Sequence, residues 1–149
     1  MAIDATLIQE VVMSDEAANI DLLKDAYRRW SETRGDTEIF LALSDPDIKF
    51  GSIPRGEAPL TFAKEYDCRD ALREYFDGLH AGWTMVHYTM DEFVAQGDAV
   101  VARGTCAWKN RQTGKVAETP KVDFWRFRNG KAIEFYEYFD TAHVAAAAA

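Results

Sequence analysis

The sequence predicts an α+β domain in which a curved antiparallel sheet wraps around helices from the first half of the chain. Two observations predict this fold. Apolar residues recur at helical spacing in three early segments, and apolar and polar residues alternate through most of the second half. Helices followed by a succession of strands are typical of α+β folds. A cavity between sheet and helices is a usual place for a small ligand.

Three segments have the pattern of helices. They are residues 15–33, 37–43 and 69–81. In the first, apolar side chains recur every three or four residues, at Ile20, Leu23, Tyr27 and Trp30. Acidic residues at its start favour the positive end of the helix dipole, and Gly35 suits a left-handed stop.

Five segments have the pattern of strands. They are residues 48–53, 85–94, 99–108, 116–127 and 131–140. Turn sequences containing Gly97, Gly114 and Gly130 separate the last four, which predicts a meander. The alanine tail, residues 145–149, is expected to be a frayed helical end or disordered.

The composition predicts one domain, residues 1–149, with peripheral tails at about 1–13 and 142–149. Of its 149 residues, 48% are hydrophobic and 13% aromatic, enough for a core without disulfides or metal. Cys68 and Cys106 are expected to be reduced thiols. The three histidines lack the spacing of a zinc site, and no phosphate-binding loop is present, so neither a metal nor a cofactor is expected.

The net charge of −8, from 17 basic and 25 acidic residues, disfavours binding to nucleic acids and anionic membranes. Neither is expected as a partner. No apolar stretch has the length of a membrane span, and the first residues lack the basic region of a secretory signal. We therefore expect a cytoplasmic protein.

Three segments resemble a known family. They are residues 25–45, residues 66–72, and residues 122–133 together with Tyr138-Phe139-Asp140. They resemble the SnoaL-like branch of the nuclear transport factor 2-like superfamily, over nearly all of the chain after residue 15. The resemblance implies a cone-shaped, cystatin-like α+β barrel with an antiparallel or mixed sheet around three helices. It implies no single activity, because such folds include isomerases, cyclases, hydrolases, dehydratases and proteins without chemistry.

The resemblance also implies which strand residues face the cavity. It places Asp123, Trp125 and Phe127 inward. Because side chains alternate along a strand, the same register selects further inward residues, which are Ile133, Phe135, Glu137 and Phe139 on the last strand and Val101, Arg103 and Thr105 on the strand after Gly97.

Arg103, Asp123 and Glu137 are therefore expected to meet inside an apolar cavity. One arginine pairs with only one acid, and the other acid would then have a raised pKa suited to acid–base catalysis. The alternative is a structural bridge in which Arg103 only supports the sheet.

Three activities of the family match the sequence to different extents. The steroid isomerases use a Tyr and an Asp around the oxyanion, matched by Tyr27 and Asp123, but Ser52 stands where the base is needed and argues against this reaction. The limonene-type epoxide hydrolases use an Asp–Arg–Asp set, of which Arg103 and Glu137 match.

In the epoxide hydrolase pattern Thr105 replaces the first acid, and Phe50 and Ser52 replace the residues that hold water. Epoxide hydrolysis would therefore require Asp123 as a substitute. The polyketide cyclases use one acid on the last strand, a position at which Glu137 keeps the carboxylate.

The leading hypothesis is a cofactor-independent enzyme for a small hydrophobic carbonyl- or epoxide-bearing molecule. Glu137 would be the acid or base, Arg103 would orient it or stabilise an oxyanion, and Asp123 would be a second anchor. The expected ligand-binding residues are Tyr27, Phe50, Ser52, His87, Thr105, Trp125, Phe135 and Phe139. The alternatives are a small-molecule binder without turnover and an assembly module. For His87, a hydrogen-bonded strand histidine is the simpler interpretation.

The sequence also predicts a lid and a dimer interface. Residues 54–66 are irregular but contain Leu60 and Phe62, so they are expected to form a lid or rim at the pocket. Trp108, Tyr136 and Tyr138 are expected on the convex side of the sheet, where an exposed aromatic patch would favour a homodimer.

Overall fold

The computed structural model describes residues 5–149, with side chains from Asp15 onward. The elements, in order, are α1 (Ala5–Glu32), α2 (Thr37–Leu43), β1 (Ser44–Ser52), α3 (Arg69–Gly82), β2 (Trp83–Gln96), β3 (Ala99–Asn110), β4 (Val116–Arg128), β5 (Lys131–Phe139) and α4 (Thr141–Ala147). The predicted α+β fold is confirmed.

The five strands form one mixed sheet in the order β1-β5-β4-β3-β2. β1 pairs with β5 in parallel, and the other neighbours are antiparallel. Helix α1 packs against β2 and β3, and α3 packs against β1 and β2. The aromatic core lies between these two layers and includes Trp30, Phe40, Phe76 and Trp125.

Helix α1 begins ten residues before the predicted start at Asp15, at Ala5. The acidic residues near Asp15 therefore lie within the helix. The tail expected at residues 1–13 is thus helical from Ala5 onward, and its first four residues lie outside the described residues. No helix in the range 5–149 combines the length and the apolar character needed to cross a membrane.

The alanine tail was expected to be a frayed helical end or disordered, and in the structure it is helical as far as Ala147. Asp140 caps α4, because its side chain accepts a hydrogen bond from the backbone N–H of His143. Alanine is the strongest helix former, which explains the continuation to Ala147. Ala147 is buried, and its carbonyl accepts a hydrogen bond from Thr113 at 2.6 Å.

Strand β1 begins at Ser44, earlier than the predicted start at Ile48. Its pairing with β5 shifts register between Ser44 and Lys49. Pro46 lies in this interval and has no N–H to donate to a ladder. Residues 44–46 thus form an irregular first segment of β1.

The strand register brings four inward residues into one row across the sheet. Ala102 on β3 is opposite Asp123 on β4, Asp123 is opposite Glu137 on β5, and Glu137 is opposite Ser52 on β1. Residues directly opposite one another in a sheet share a face. The register thus brings Asp123, Glu137 and Ser52 together on the concave side.

Candidate functional site

A buried lysine lies between the two predicted acids. The Nζ of Lys121 contacts a carboxylate oxygen of Asp123 and lies 3.0 Å from Oε1 of Glu137. Asp123 and Glu137 are only 1% and 2% exposed, and Lys121 is 6% exposed. The structure therefore brings the two acids together as predicted, but Lys121 occupies the place expected for Arg103.

Sequence reasoning missed Lys121 although a signal was present. Lys121 precedes Asp123 by two residues on β4, so strand alternation places both side chains on the same face. The predicted inward residues of β4 begin at Asp123 and therefore leave out Lys121. Lysine is rarely fully buried unless it is paired, and here the two carboxylates supply that pairing.

Three hydroxyl groups hold the carboxylates in place. The Tyr27 hydroxyl donates to Oδ2 of Asp123 at 2.5 Å. The Ser52 hydroxyl donates to Oε2 of Glu137 at 2.6 Å, and the Tyr75 hydroxyl lies 3.0 and 2.9 Å from its two oxygens. Lys121, Asp123, Glu137, Tyr27, Tyr75 and Ser52 are called the lysine–carboxylate cluster below. Both acids thus have fixed orientations.

The cluster contains one ammonium group and two carboxylates, so its charges do not balance. Burial raises the pKa of Asp123, Lys121 opposes this effect, and the Glu137 charge adds to it. Burial lowers the pKa of Lys121, but Asp123 and Glu137 together raise it well above its usual value. Lys121 is therefore charged at neutral pH, and Asp123 holds its proton to higher pH than an exposed aspartate.

The two tyrosines of the cluster are neutral hydrogen-bond donors. Burial raises the pKa of the Tyr27 hydroxyl well above its usual value, and the Asp123 charge adds to this effect. Burial and the Glu137 charge act in the same way on the pKa of Tyr75. Both hydroxyls therefore keep their protons, and each donates its proton in a hydrogen bond to a carboxylate of the cluster.

The cluster forms part of the walls of two adjoining cavities. One, called the outer cavity below, has a volume of about 70 Å³, and the other, called the inner cavity, has a volume of about 40 Å³. Both are walled mainly by aromatic and aliphatic side chains. Five residues line both cavities: Trp30, Tyr75, Tyr88, Lys121 and Glu137. Asp123 lines only the inner cavity, so Glu137 is the acid that both cavities share.

Residues 54–66 contribute to the wall of the outer cavity. Leu60, Phe62 and Ala63 from this segment line its wall. The backbone groups of Tyr66 and Phe50 exchange two hydrogen bonds, which anchor the end of the segment to β1. The segment that was predicted to be a lid or rim thus forms part of the cavity wall, and Val144 of α4 contributes beside it.

Most predicted ligand-binding residues lie where they were expected. Tyr27, Phe50, Trp125 and Phe135 line the inner cavity, and Phe139 lines the outer cavity. Ser52 contacts Glu137 directly. These positions agree with the predicted register of β4 and with that of β5 from Phe135 to Phe139.

The prediction for β3 is wrong. Arg103 is 67% exposed on the convex side, with Nη2 2.5 Å from Oε2 of Glu92. Thr105 is also exposed. The pairing of Ala102 with Asp123 places Ala102 inward, so Val101, Arg103 and Thr105 must point outward. A shift of one residue in register moves every side chain to the opposite face.

Ile133 and His87 were also predicted to point inward, and both predictions are wrong because register shifts interrupt the alternation of side chains. On β5, the register shifts where Phe127 pairs with Ala132, and Ala132 rather than Ile133 joins the core. On β2, a shift falls between Met85 and His87. The His87 side chain is 40% exposed and lies 3.6 Å from Glu118, outside both cavities.

The predicted convex aromatic patch is partly wrong. Trp108 is buried and lines the outer cavity, because it shares the inward face of β3 with Ala102 and Cys106. Tyr136 and Tyr138 do lie on the other face. Their ring centroids are 4.9 Å apart, and Tyr138 is 45% exposed.

The ionisable residues of the cluster do not resemble a metal site. Among the described residues, no group of three or more His, Cys, Asp and Glu side chains is arranged to hold a metal ion. The cation between the two acids is the Lys121 ammonium group. Chemically, the cluster can exchange a proton and can donate hydrogen bonds to a developing negative charge.

Comparison with known proteins agrees with this architecture. The family model of the SnoaL-like domain matches residues 23–135. No curated protein shows significant sequence similarity to the chain. An NTF2-like protein of unknown function from Burkholderia pseudomallei K96243 is 25% identical, with a TM-score of 0.74 over 87% of this chain and 95% of that one.

Two further solved structures are similar. An NTF2-like protein from Burkholderia xenovorans LB400 is 27% identical, with a TM-score of 0.72 over 89% of this chain and 96% of that one. TerC, co-crystallised with polyporic acid, is 22% identical, with a TM-score of 0.69 over 87% and 96% of the two chains. The last likeness concerns the fold alone.

Proposed function

The chain belongs to the SnoaL-like domain family, and we propose that it is a cofactor-independent enzyme that moves a proton on a small hydrophobic carbonyl compound. One observation supports this proposal above all. The Glu137 carboxylate lies in the wall of an aromatic cavity, between the Lys121 ammonium group and two hydroxyl donors. This arrangement pairs a base with groups that can stabilise an oxyanion.

In the proposed reaction, Glu137 removes a proton from the carbon next to the substrate carbonyl. The electrons of the C–H bond form a carbon–carbon double bond, and the carbonyl oxygen becomes an enolate oxygen. The Lys121 ammonium group, which has three N–H donors for its two carboxylate contacts, stabilises this oxygen, and the neutral Tyr75 hydroxyl turns to it once Glu137 has taken up the proton. If the substrate is a β,γ-unsaturated ketone, Glu137 then returns the proton to the γ-carbon, which gives isomerisation. Alternatively, the enolate carbon attacks a second carbonyl of the same molecule and the resulting alkoxide oxygen takes the proton from Glu137, which gives ring closure.

A carbonyl substrate fits the site better than an epoxide. By the family resemblance, epoxide hydrolysis needs a Tyr and an Asn to hold the attacking water, and Phe50 and Ser52 occupy those positions. The Ser52 hydroxyl instead donates a hydrogen bond to Glu137. The cavities, at about 70 and 40 Å³, are small beside ordinary ligand pockets. We therefore propose a compact substrate of about one ring.

The proposal predicts deuterium incorporation next to the carbonyl of small ketones. The protein in D₂O, with cyclohexanone or cyclohexane-1,4-dione, should exchange these protons at least about 100 times faster than buffer at the same pH. NMR measures the loss of the proton signal. The control is Arg103→Gln, which removes the exposed cation and should leave the rate unchanged. Exchange no faster than in buffer would contradict the proposal.

A second candidate is a binding protein without turnover. Lys121 contacts both acids, and the carboxylates also accept hydrogen bonds from the hydroxyls of Tyr27, Ser52 and Tyr75. Such a cluster could serve only to support the sheet. If the protein only binds ligands, the ketones should bind saturably without proton exchange, so the same NMR samples distinguish the two candidates.

We also propose that the convex side of the sheet forms a homodimer. The pairing aligns a row of outward apolar residues across four strands: Val94, Val101, Phe124 and Tyr136. Val94 is 63% exposed, and Tyr138 extends the row. Val101, Phe124 and Tyr136 are half-buried. A row of apolar side chains that reaches the surface in this way is typical of protein interfaces.

The proposed dimer is tested by sedimentation. At a concentration on the order of tens of micromolar, the protein should sediment as a dimer, because an interface of ordinary size persists there. Val101→Glu places a charge in the middle of the row and should give monomers, whereas Thr84→Glu at an exposed position near one end of the sheet should not. A monomeric wild-type protein would rule out this interface.

A further inference from the structure

The indole N–H of Trp30 is a buried donor without a protein acceptor. Trp30 lies on α1, is 3% exposed and is surrounded by aromatic rings, including Phe40 at 5.0 Å and Phe76 at 5.8 Å between centroids. Within the part of the chain whose side chains are described, its Nε1 is the buried side-chain nitrogen or oxygen that has no hydrogen-bond partner. Buried donors are nearly always paired, because an unpaired one loses its hydration without compensation.

Trp30 also has a particular place in the cavities. It lines both of them, together with Lys121 and Glu137. Trp30 belongs to the helical layer, whereas the two charged residues belong to the sheet. A ligand in either cavity therefore lies between a wall that carries the charged cluster and a wall that carries Trp30.

The other tryptophans near the cluster differ from Trp30. The Trp125 indole donates its N–H to the Tyr27 hydroxyl at 2.9 Å and is thereby part of the support for Asp123. The Trp83 and Trp108 indoles line only the outer cavity. Trp30 thus combines an unused donor with a position that both cavities share.

We propose that Trp30 is a specificity-determining residue whose indole N–H binds a second acceptor oxygen of the substrate. The substrate class is then a compact dicarbonyl compound, with one oxygen at Lys121 and another at Trp30. This inference rests on the proposed function for the first oxygen. It adds that a monoketone of the same shape binds less tightly, because it leaves the Trp30 donor unpaired.

Cyclohexane-1,4-dione and cyclohexanone test this inference as a pair. They share a six-membered ring and differ in the second carbonyl oxygen. The wild-type protein should bind the dione about tenfold more tightly than the monoketone, as measured by NMR titration. Trp30→Phe keeps an aromatic ring but removes the N–H, so it should abolish this preference.

The ratio of the two affinities distinguishes loss of the hydrogen bond from a change in packing. A cavity or a small shift caused by Trp30→Phe should affect both ketones alike, whereas loss of the hydrogen bond should affect only the dione. Trp108→Phe is the matched control, because it makes the same substitution in the outer cavity, at 6.4 Å between ring centroids from Trp30. It should keep the tenfold preference.

The indole proton gives a direct readout. In a ¹⁵N–¹H spectrum, the signal that disappears in Trp30→Phe should shift on addition of the dione to wild-type protein, and much less with cyclohexanone. Equal affinity of the two ketones, an unchanged Trp30 signal at saturation, or binding of neither ketone would each overturn the inference.

These results separate this inference from the proposed function. If the dione is preferred and shifts the Trp30 signal but its protons do not exchange, Trp30 is a binding residue and the proposed catalysis fails. If both ketones exchange equally well and Trp30→Phe changes neither rate, the proposed catalysis stands and the role of Trp30 is refuted.

Discussion

Replacing Lys121 with methionine is expected to lower the free energy of unfolding by about 3–5 kcal/mol. Methionine has nearly the length of the lysine stem, so little cavity is created. The loss is electrostatic, because Asp123 and Glu137 are opposite one another in the sheet, both buried, and would have no cation between them. Urea unfolding at neutral pH measures the effect. Lys109→Met, on the exposed side of β3, is the control and should change stability by less than about 0.5 kcal/mol.

The effect of Lys121→Met should grow with pH. Burial already raises the pKa of Asp123, and removal of Lys121 removes the main influence that lowers it. The folded variant therefore holds a proton that the unfolded chain releases above about pH 3.9. The stabilising contribution of such a group is complete below the unfolded pKa and is lost as pH rises through the folded pKa.

Unfolding measured at about pH 5 and about pH 8 should thus show a larger deficit, relative to wild type, at the higher pH. Lys109→Met provides the baseline, because its own charge lies in water. A variant that is as stable as wild type, or whose deficit shrinks as pH rises, would show that Lys121 does not compensate the two acids.

The fold was predictable from the sequence because it depends on local patterns. Helical spacing and strand alternation locate α2, α3 and the last four strands to within a few residues. The same alternation correctly places Asp123 and Trp125 on one face of β4. These predictions need only the periodicity of one strand or helix at a time.

The site was less predictable because it depends on relations between strands. Alternation leaves the choice between two faces open for each strand, and only the pairing of Ala102 with Asp123 decides that Arg103 points outward. A register shift likewise separates Ile133 from the core. The sequence alone does not specify these shifts, since they arise from how neighbouring strands fit together.

For Lys121, the sequence predicts the direction of the side chain but not the partners of its ammonium group. Its position on β4 predicts an inward side chain, but a lysine is stable there only because two carboxylates from β4 and β5 surround its ammonium group. The prediction of one cation beside two buried acids is therefore correct, but Lys121 rather than Arg103 supplies the cation. The alternation of β4 by itself places Lys121 and Asp123 on the same face.

The substitution Glu137→Gln is expected to reduce proton exchange at least about 100-fold. An amide keeps the shape of the side chain, and its oxygen can still accept from Ser52 or Tyr75, but it cannot accept a proton at neutral pH. Deuterium exchange of the small ketones measures the loss. Glu134→Gln, on the same strand but paired with Arg126 outside the cavity, is the control and should keep wild-type exchange.

The free energy of unfolding of Glu137→Gln shows whether a loss of exchange reflects a catalytic or a structural role of Glu137. With Arg103 as the expected partner, this change would have left an uncompensated buried cation. In the structure Lys121 keeps Asp123, so one cation still faces one carboxylate. The free energy of unfolding should therefore fall by no more than about 1 kcal/mol, well below the loss for Lys121→Met. Unchanged exchange would remove Glu137 from the mechanism. A loss of stability as large as that of Lys121→Met would instead make Glu137 a structural partner of Lys121, because a base that acts only on the substrate contributes little to the folded state.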